Sequence, residues 1–495
     1  MLEKNKDIEF TDFSVGDYVS FKREFSIKDF NLFSKISGDM NPLHHDHAYA
    51  KATSFGNVIV PMHLVSAPLS AIAGMMIPGH RSLYLSTKIK SILPVFYKQE
   101  ITYSAKIIAK QEAEEALVIR VFGFETNNIV LEAELLVQVR KGNDGYIQKN
   151  NSLDFSFGRE TSQKKILIIG ASGAIGGAIA ISMARKGHNL LLQYNKRNNE
   201  FDQMIDECKS FGVEVNIVQA NLSKIKGLIS LIKDIKAQSS RDKVSDIIHT
   251  ASPPINSSLE DLMAVNFTAL KYLVENLIED MMIRQSGSIT FIGSSALQFQ
   301  PQGWEYYIAA KVAATQYMNQ IDKAYKNCGI DARSVAPGVV LTDFSKEIRT
   351  SDENVLLPEH VAQLIANGIC GEWSKNDQYI WIENNITRSG VFGFKEGISI
   401  SNVDKNSEIK NKQSSFEDEE DLSYLDEILI DFFNMESDTD LSSTGINLYP
   451  GWDSLKHIEL MVLIESKLGI RFDSDDIEDT RNYIDLYNLI KNKKS

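Results

Sequence analysis

The run ILIIGASGAIGGAIAISMA, residues 166–184, carries no charged residue. Its length suits a membrane span, yet its glycines cluster at 170, 173, 176 and 177. Apolar residues, then clustered glycine, then small apolar residues over a helical length read better as a buried strand, a tight turn and a helix. Further short apolar runs occur at 190–194, 215–218, 246–249, 288–292, 331–335 and 379–382, each separated by a helix-length stretch. This strand–helix rhythm predicts an α/β, Rossmann-type doubly wound parallel sheet, which places ligands where the strands end.

The chain has 495 residues, enough for roughly three domains. Two polar, aperiodic stretches divide it, Lys141–Gln163 and Glu396–Asp421. Expected boundaries are a domain at 1–142, a linker at 143–162, a domain at 163–395, a linker at 396–417 and a domain at 418–495. The first opens with FSIKDFNLFSKISG, where Ser26 caps a helix carrying Ile27, Phe30, Phe33 and Ile36 and Ser37-Gly38 ends it. A second helix is expected from Pro61, then strands with Asn127-Asn128 as a hairpin turn, an α+β pattern of helices first and antiparallel sheet after. The last domain reads as a small all-α helical bundle. Between Ser415 and Ser495, 20 acidic residues face 7 basic ones, which accounts for −13 of the net charge of −14. That balance argues against nucleic acid as a partner and for docking onto basic protein surfaces. Cys208, Cys328 and Cys370 have no CxxC spacing, so no disulfide framework or metal site is expected and the setting is cytoplasmic. The opening MLEKNKDIEFTDF is polar and predicts no signal peptide.

Three constellations carry chemistry. In SGDMNPLHHD, Asp39 and His44 lie five apart across Asn41-Pro42. A carboxylate and an imidazole offer the two different pKa values that proton removal and water transfer require, although Asp-x-Asn-Pro is also good turn chemistry. With AYAKATSFGNVIVP and PGHRSLYLSTKIKSILPVFYKQEITYSAKI, the motif resembles MaoC-like hot-dog dehydratases and R-specific enoyl hydratases over about 130 residues. The resemblance implies a hot-dog fold with Asp39 and His44 catalytic. The chain departs from that family at Pro61-Met62, where a His-Gly pair is usual.

In the second, Tyr307 and Lys311 in SSALQFQPQGWEYYIAAK share a helix face, and a nearby ammonium lowers a phenol's pKa. Ser294 precedes the tyrosine by thirteen residues; its neighbour Ser295 is the alternative. With Asn266 in MAVNFTAL and Pro337, Gly338 and Thr342 in SVAPGVVLTDF, this segment resembles short-chain dehydrogenase/reductases, closest to β-ketoacyl carrier-protein reductases. The resemblance implies catalytic Asn266, Ser294, Tyr307 and Lys311, and a dinucleotide held by Gly170, Ser172, Gly173, Ile175, Gly176, Asn221, Ala251, Tyr307, Lys311, Pro337, Gly338 and Thr342. Ala174 replaces the middle fingerprint glycine, HTAS at 249–252 replaces Asn-Asn-Ala-Gly, and Asn221 replaces the adenine-contacting aspartate. No acid ends the second strand, while Lys196 and Arg197 follow it, so NADPH is favoured over NADH.

The third is GWDSLKHIELMVLIESKLGIRFDSDDI, where Asp453 and Ser454 suit a helix N-terminus. The Asp-Ser-Leu triplet and the acidic residues resemble acyl carrier proteins, implying covalent 4′-phosphopantetheine on Ser454. Together these readings predict reduction and dehydration of a carrier-bound β-ketoacyl thioester. A phosphopantetheinyl transferase and a separate ketosynthase, acyltransferase or acyl acceptor enzyme are the implied partners, with no membrane span and a homodimer or homotetramer. Two alternatives stand: a hydratase–dehydrogenase acting on coenzyme A thioesters, and a reductase–carrier protein whose hot-dog domain is an inactive docking or dimerisation module.

Overall fold

The computed structural model describes residues 9–141, 155–238, 243–346, 355–373, 378–383, 386–392 and 398–401, then 423–433, scattered positions between 456 and 480, and 482–494. Met1–Lys405 forms one compact unit and Asn406–Ser495 another. No helix among the described residues is long and apolar enough to cross a membrane.

The first sheet contains β1 (Asp17–Glu24), β2 (Ser82–Ser91), β3 (Glu100–Gln111), β4 (Ala116–Glu125), β5 (Asn128–Val139) and β6 (Ser156–Arg159). Its order is β2-β5-β4-β3-β1-β6, antiparallel throughout. Leu64, Val65, Leu69 and Ile72 from the helical stretch Met62–Met76 share a core with Ile101, Tyr103, Ile119 and Leu135 of the sheet. The helix Ile27–Ser37 starts as expected: the Asp29 carboxylate accepts from the Ser26 N–H at 2.8 Å, and Gly38 closes the helix at φ 76°. Its buried face differs from the periodic one. Phe30 is buried, whereas Ile27 and Ile36 are 46% and 88% exposed.

Three expectations for this part are corrected. The strand β1 precedes the first helix, so the order is not helices then sheet. The strand β6 lies inside the expected linker 143–162 and pairs with β1, where the Arg159 guanidinium donates to both oxygens of the fully buried Asp17, at 2.5 and 2.8 Å. The hairpin turn is Thr126-Asn127, because Asn128 already pairs with Glu125; Thr126 takes the left-handed φ of 52°.

The second sheet contains β7 (Lys165–Ile169), β8 (Asn189–Tyr194), β9 (Val215–Gln219), β10 (Asp246–His249), β11 (Gly287–Ile292), β12 (Ile330–Pro337), β13 (Tyr379–Glu383), β14 (Ile386–Phe392) and β15 (Ile398–Ser401). The order is β15-β14-β13-β12-β11-β10-β7-β8-β9, parallel from β9 to β13. The uncharged run is thus β7 and the helix Ala174–Arg185. Strand order reverses between β7 and β10, which opens a crevice at their carboxyl ends. The strands β14 and β15 add antiparallel, so β15 occupies part of the expected linker 396–417.

The two sheets meet through a buried polar hub. Gln285 ends the helix Ala269–Arg284 at φ 49° and is 1% exposed. Its side-chain oxygen accepts from Arg120 Nε at 2.8 Å, and its amide donates to the backbone oxygens of Ser104 and Arg120 at 3.0 and 3.1 Å. Phe122 and Phe124 of β4 join the same apolar cluster as Leu270, Leu277 and Met281 of that helix. Gln285→Ala strands several of these partners in a dry interface, where one unsatisfied group costs about 1–3 kcal/mol. Chemical denaturation should read a loss of that order, with Gln285→Gly relieving the backbone strain but not the lost bonds.

In the second unit, Leu425, Ile428, Leu429, Leu460, Met461, Ile464, Leu486 and Ile490 form a shared core around the helices Ser423–Phe433 and Tyr483–Lys494. Ser454 lies outside the described residues.

Candidate functional site

At the crevice between β7 and β10 opens a cleft of about 1420 Å³. Its floor needs glycine at two points. Gly170 has φ +84°, and a Cβ there would sit 2.7 Å from the Ala251 nitrogen; a Cβ on Gly176 would sit 2.3 Å from the Gly170 oxygen. Thr250 fastens the turn by donating to the Ile169 oxygen at 2.8 Å. The helix Ala174–Arg185 then starts with its first N–H groups unpaired within the helix, a natural seat for phosphate.

Gly170, Ser172, Gly173, Ile175, Gly176, Lys196, Asn221, Ala251, Ser294, Tyr307, Lys311, Pro337, Gly338 and Thr342 all line this cleft. Asn266 and Arg197 do not. Asn266 is fully buried in the wide helical turn Ala264–Thr268, and its amide donates to Ser252 Oγ at 3.2 Å and the Leu262 oxygen at 3.0 Å. Arg197 is drawn aside by Asp202, Nε to carboxylate 2.7 Å, which leaves Lys196 as the cation lining the cleft at the end of β8.

Tyr307 and Lys311 lie on the helix Glu305–Tyr325 and are both buried. Lys311 Nζ donates to the Ile292 oxygen at 2.7 Å and stands 4.7 Å from the Phe291 ring centre and 5.6 Å from that of Tyr307. Burial lowers the lysine from its ordinary 10.5 to about 7. Burial also raises the Tyr307 phenol to about 12, against the opposing pull of its hydrogen bond with Ser294. The sequence expectation that the lysine depresses the phenol is therefore reversed, since burial is the leading cause at both groups. Sequence reasoning missed the aromatic walls: Trp304 meets Tyr307 edge-on at 5.8 Å, and Phe344 lies 6.1 Å away. The pattern GWEYY carries the first in plain sight, one turn before Tyr307.

The second constellation belongs to the first sheet. Asp39 uses both carboxylate oxygens. One accepts from the Asn41 N–H at 3.1 Å, which is the turn chemistry, and the other faces His44 Nε2 at 3.7 Å. His44 Nδ1 lies 2.9 Å from the Ile59 oxygen, so that carbonyl keeps a proton on Nδ1 and turns Nε2 toward Asp39. Tyr97, also unforeseen, donates to the His44 backbone oxygen at 2.9 Å; burial first, then the Asp39 charge, raises its phenol to about 12. Pro61 precedes the first turn of Met62–Ser66, and Met62 is partly buried against the core.

Residues 164–353 match the family model described as short chain dehydrogenase, and residues 12–122 match the one described as MaoC like domain. The chain carries a short-chain dehydrogenase domain and a MaoC-like domain. The dehydrogenase domain is 28% identical over 204 residues to an uncharacterised oxidoreductase, YmfI, of Bacillus subtilis, covering 40% of this chain and 83% of that protein. It is 23% identical, with the same coverage, to a 3-oxoacyl-[acyl-carrier-protein] reductase of Staphylococcus epidermidis. A solved 3-oxoacyl (acyl-carrier-protein) reductase of Agrobacterium tumefaciens with NADP bound is 20% identical with a TM-score of 0.40, over 44% of this chain and 92% of that one.

Proposed function

We propose that the chain reduces a 3-oxoacyl thioester to the 3-hydroxyacyl thioester with NADPH and dehydrates that product to the 2-enoyl thioester, with the acyl group carried on Ser454. The observation that supports it best is the convergence of Tyr307, Lys311 and Ser294 in one glycine-floored cleft. The cleft residues suit a dinucleotide: Gly170 and Gly176 leave no room for a Cβ, the helix start after Gly173 suits a diphosphate, and Lys196 suits a 2′-phosphate. The hydride comes from the nicotinamide of NADPH when it is bound. Ser294 and Tyr307 hydrogen-bond the keto oxygen, Tyr307 passes its proton there, and the Lys311 cation offsets the negative charge left on the phenol. In the MaoC-like domain, Asp39 and His44 remove the C2 proton and protonate the departing hydroxyl, with the Met62 N–H offered to the thioester oxygen. NADPH oxidation on adding acetoacetyl thioester, followed by mass analysis for hydroxyacyl and enoyl products, tests the reading. An unchanged NADPH signal with every 3-oxoacyl thioester tried would remove it.

A second reading keeps the MaoC-like domain as an inactive docking module, with the chain stopping at the hydroxyacyl thioester. The extensive Gln285-centred interface, which suits a structural role, favours it.

Ser454→Ala should abolish the mass gain that a phosphopantetheinyl transferase and coenzyme A give the unmutated chain. A gain persisting in the variant would remove Ser454 as the attachment point.

A further inference from the structure

His249 is the last residue of β10 and fully buried, and neither ring nitrogen has a hydrogen-bond partner within normal geometry. Buried polar groups left so are few in folded proteins and call for a reason. Its register supplies one. His249 pairs directly beside Phe291 of β11 in the parallel ladder, so both side chains leave the same face of the sheet, and their rings lie 5.8 Å apart. The same Phe291 ring carries the Lys311 ammonium at 4.7 Å. Lys311, which lines the cleft, and His249, which does not, therefore share Phe291 as a neighbour.

The charge states fit a donor and an acceptor. Burial first, then the Lys311 charge, lowers the imidazole to about 3, while the backbone at His249 and Val265, too poorly placed for a normal hydrogen bond, pulls the other way. His249 is thus neutral at any working pH, and a neutral imidazole keeps one lone pair to accept with. Lys311 has three N–H bonds, one of them directed to the Ile292 oxygen. The charged group acting on His249 among the described residues is Lys311.

We propose that His249 is a positioning residue for Lys311, accepting a hydrogen bond from its ammonium through one bound water and so holding the lysine charged and aimed beneath Tyr307. This rests on the reductase reading above. An acceptor favours the charged lysine, so its removal must favour the neutral form.

The experiment is the pH profile of kcat/KM for 3-oxoacyl thioester reduction by the full chain, with NADPH affinity measured separately by fluorescence. His249→Leu is expected to move the alkaline limb down by about one pH unit, the effect of losing one hydrogen bond to a charged group. The same variant should lose on the order of tenfold in rate at pH 8, with NADPH affinity changed less than twofold. His249→Asn keeps an acceptor and should restore most of both losses. A limb that stays in place in His249→Leu, or an equal loss at all pH values that asparagine does not repair, would overturn the proposal and leave His249 as packing alone. If His249→Leu does not fold, His249→Ala, which also lacks an acceptor, carries the same comparison, and a limb unmoved in it overturns the proposal. Absence of NADPH oxidation in the unmutated chain would instead strike the reductase reading, a separate outcome.

Discussion

Tyr307→Phe is expected to lower 3-oxoacyl reduction by on the order of 10² to 10⁴-fold, the usual worth of a positioned acid. The phenyl ring fills the same buried volume between Trp304 and Phe344, so folding and NADPH binding should survive. The pH dependence of the unmutated enzyme should then belong to Lys311. Burial lowers that lysine from 10.5 to about 7, so it is charged below about pH 7 and neutral above. Tyr307, raised to about 12, stays protonated across the working range and gives no limb there. Reduction that needs the cation should accordingly decline as pH rises past about 7, and Lys311→Arg should flatten the decline, because arginine does not titrate in that range. Stability runs the opposite way. Between about 7 and 10.5 the unfolded lysine holds a proton that the folded one has released, so stability rises with pH through that window. Lys311→Met should abolish that rise in a denaturation series. A rate that climbs steadily from pH 6 to 9 would contradict the assignment of Lys311.

Residues whose role follows from spacing were legible in the chain. Tyr307 and Lys311 announce a shared helix face, and the glycines at 170 and 176 announce a turn without room for side chains. The seven parallel strands followed from apolar runs alone, because strands covered on both faces carry no alternation to confuse. What stayed hidden depends on distant partners. The strand β6 is four residues, SFGR, within polar sequence, and becomes a strand only because β1 offers it an edge and Asp17 a counter-charge. Ile27 and Ile36 share the helical period with Phe30 yet remain exposed, since period fixes a face and not what covers it. The direction of the Tyr307 shift, expected downward from the nearby lysine and raised instead by burial, stays hidden for a like reason. Sequence gives the neighbours, but desolvation is a property of the whole surrounding fold.

Asp39→Asn separates the two duties that one carboxylate performs in the MaoC-like domain. Asparagine keeps an oxygen for the Asn41 N–H, now at 3.1 Å from Asp39, so the turn should hold. It removes the basic oxygen that faces His44 Nε2 at 3.7 Å. Hydration of a crotonyl thioester should therefore fall by on the order of 10² to 10⁴-fold while the melting temperature stays within a few degrees. His44→Ala should cost a similar factor, and the double variant hardly more than either alone, because a pair that acts as a unit is non-additive. Tyr97→Phe should cost less, since it loosens the His44 backbone and touches neither reacting group. Multiplicative losses would mean that the two side chains do not share a step. If the unmutated chain neither hydrates the crotonyl thioester nor dehydrates the hydroxyacyl one, the 3.7 Å approach is turn architecture, and the domain's work is the interface it makes through Gln285.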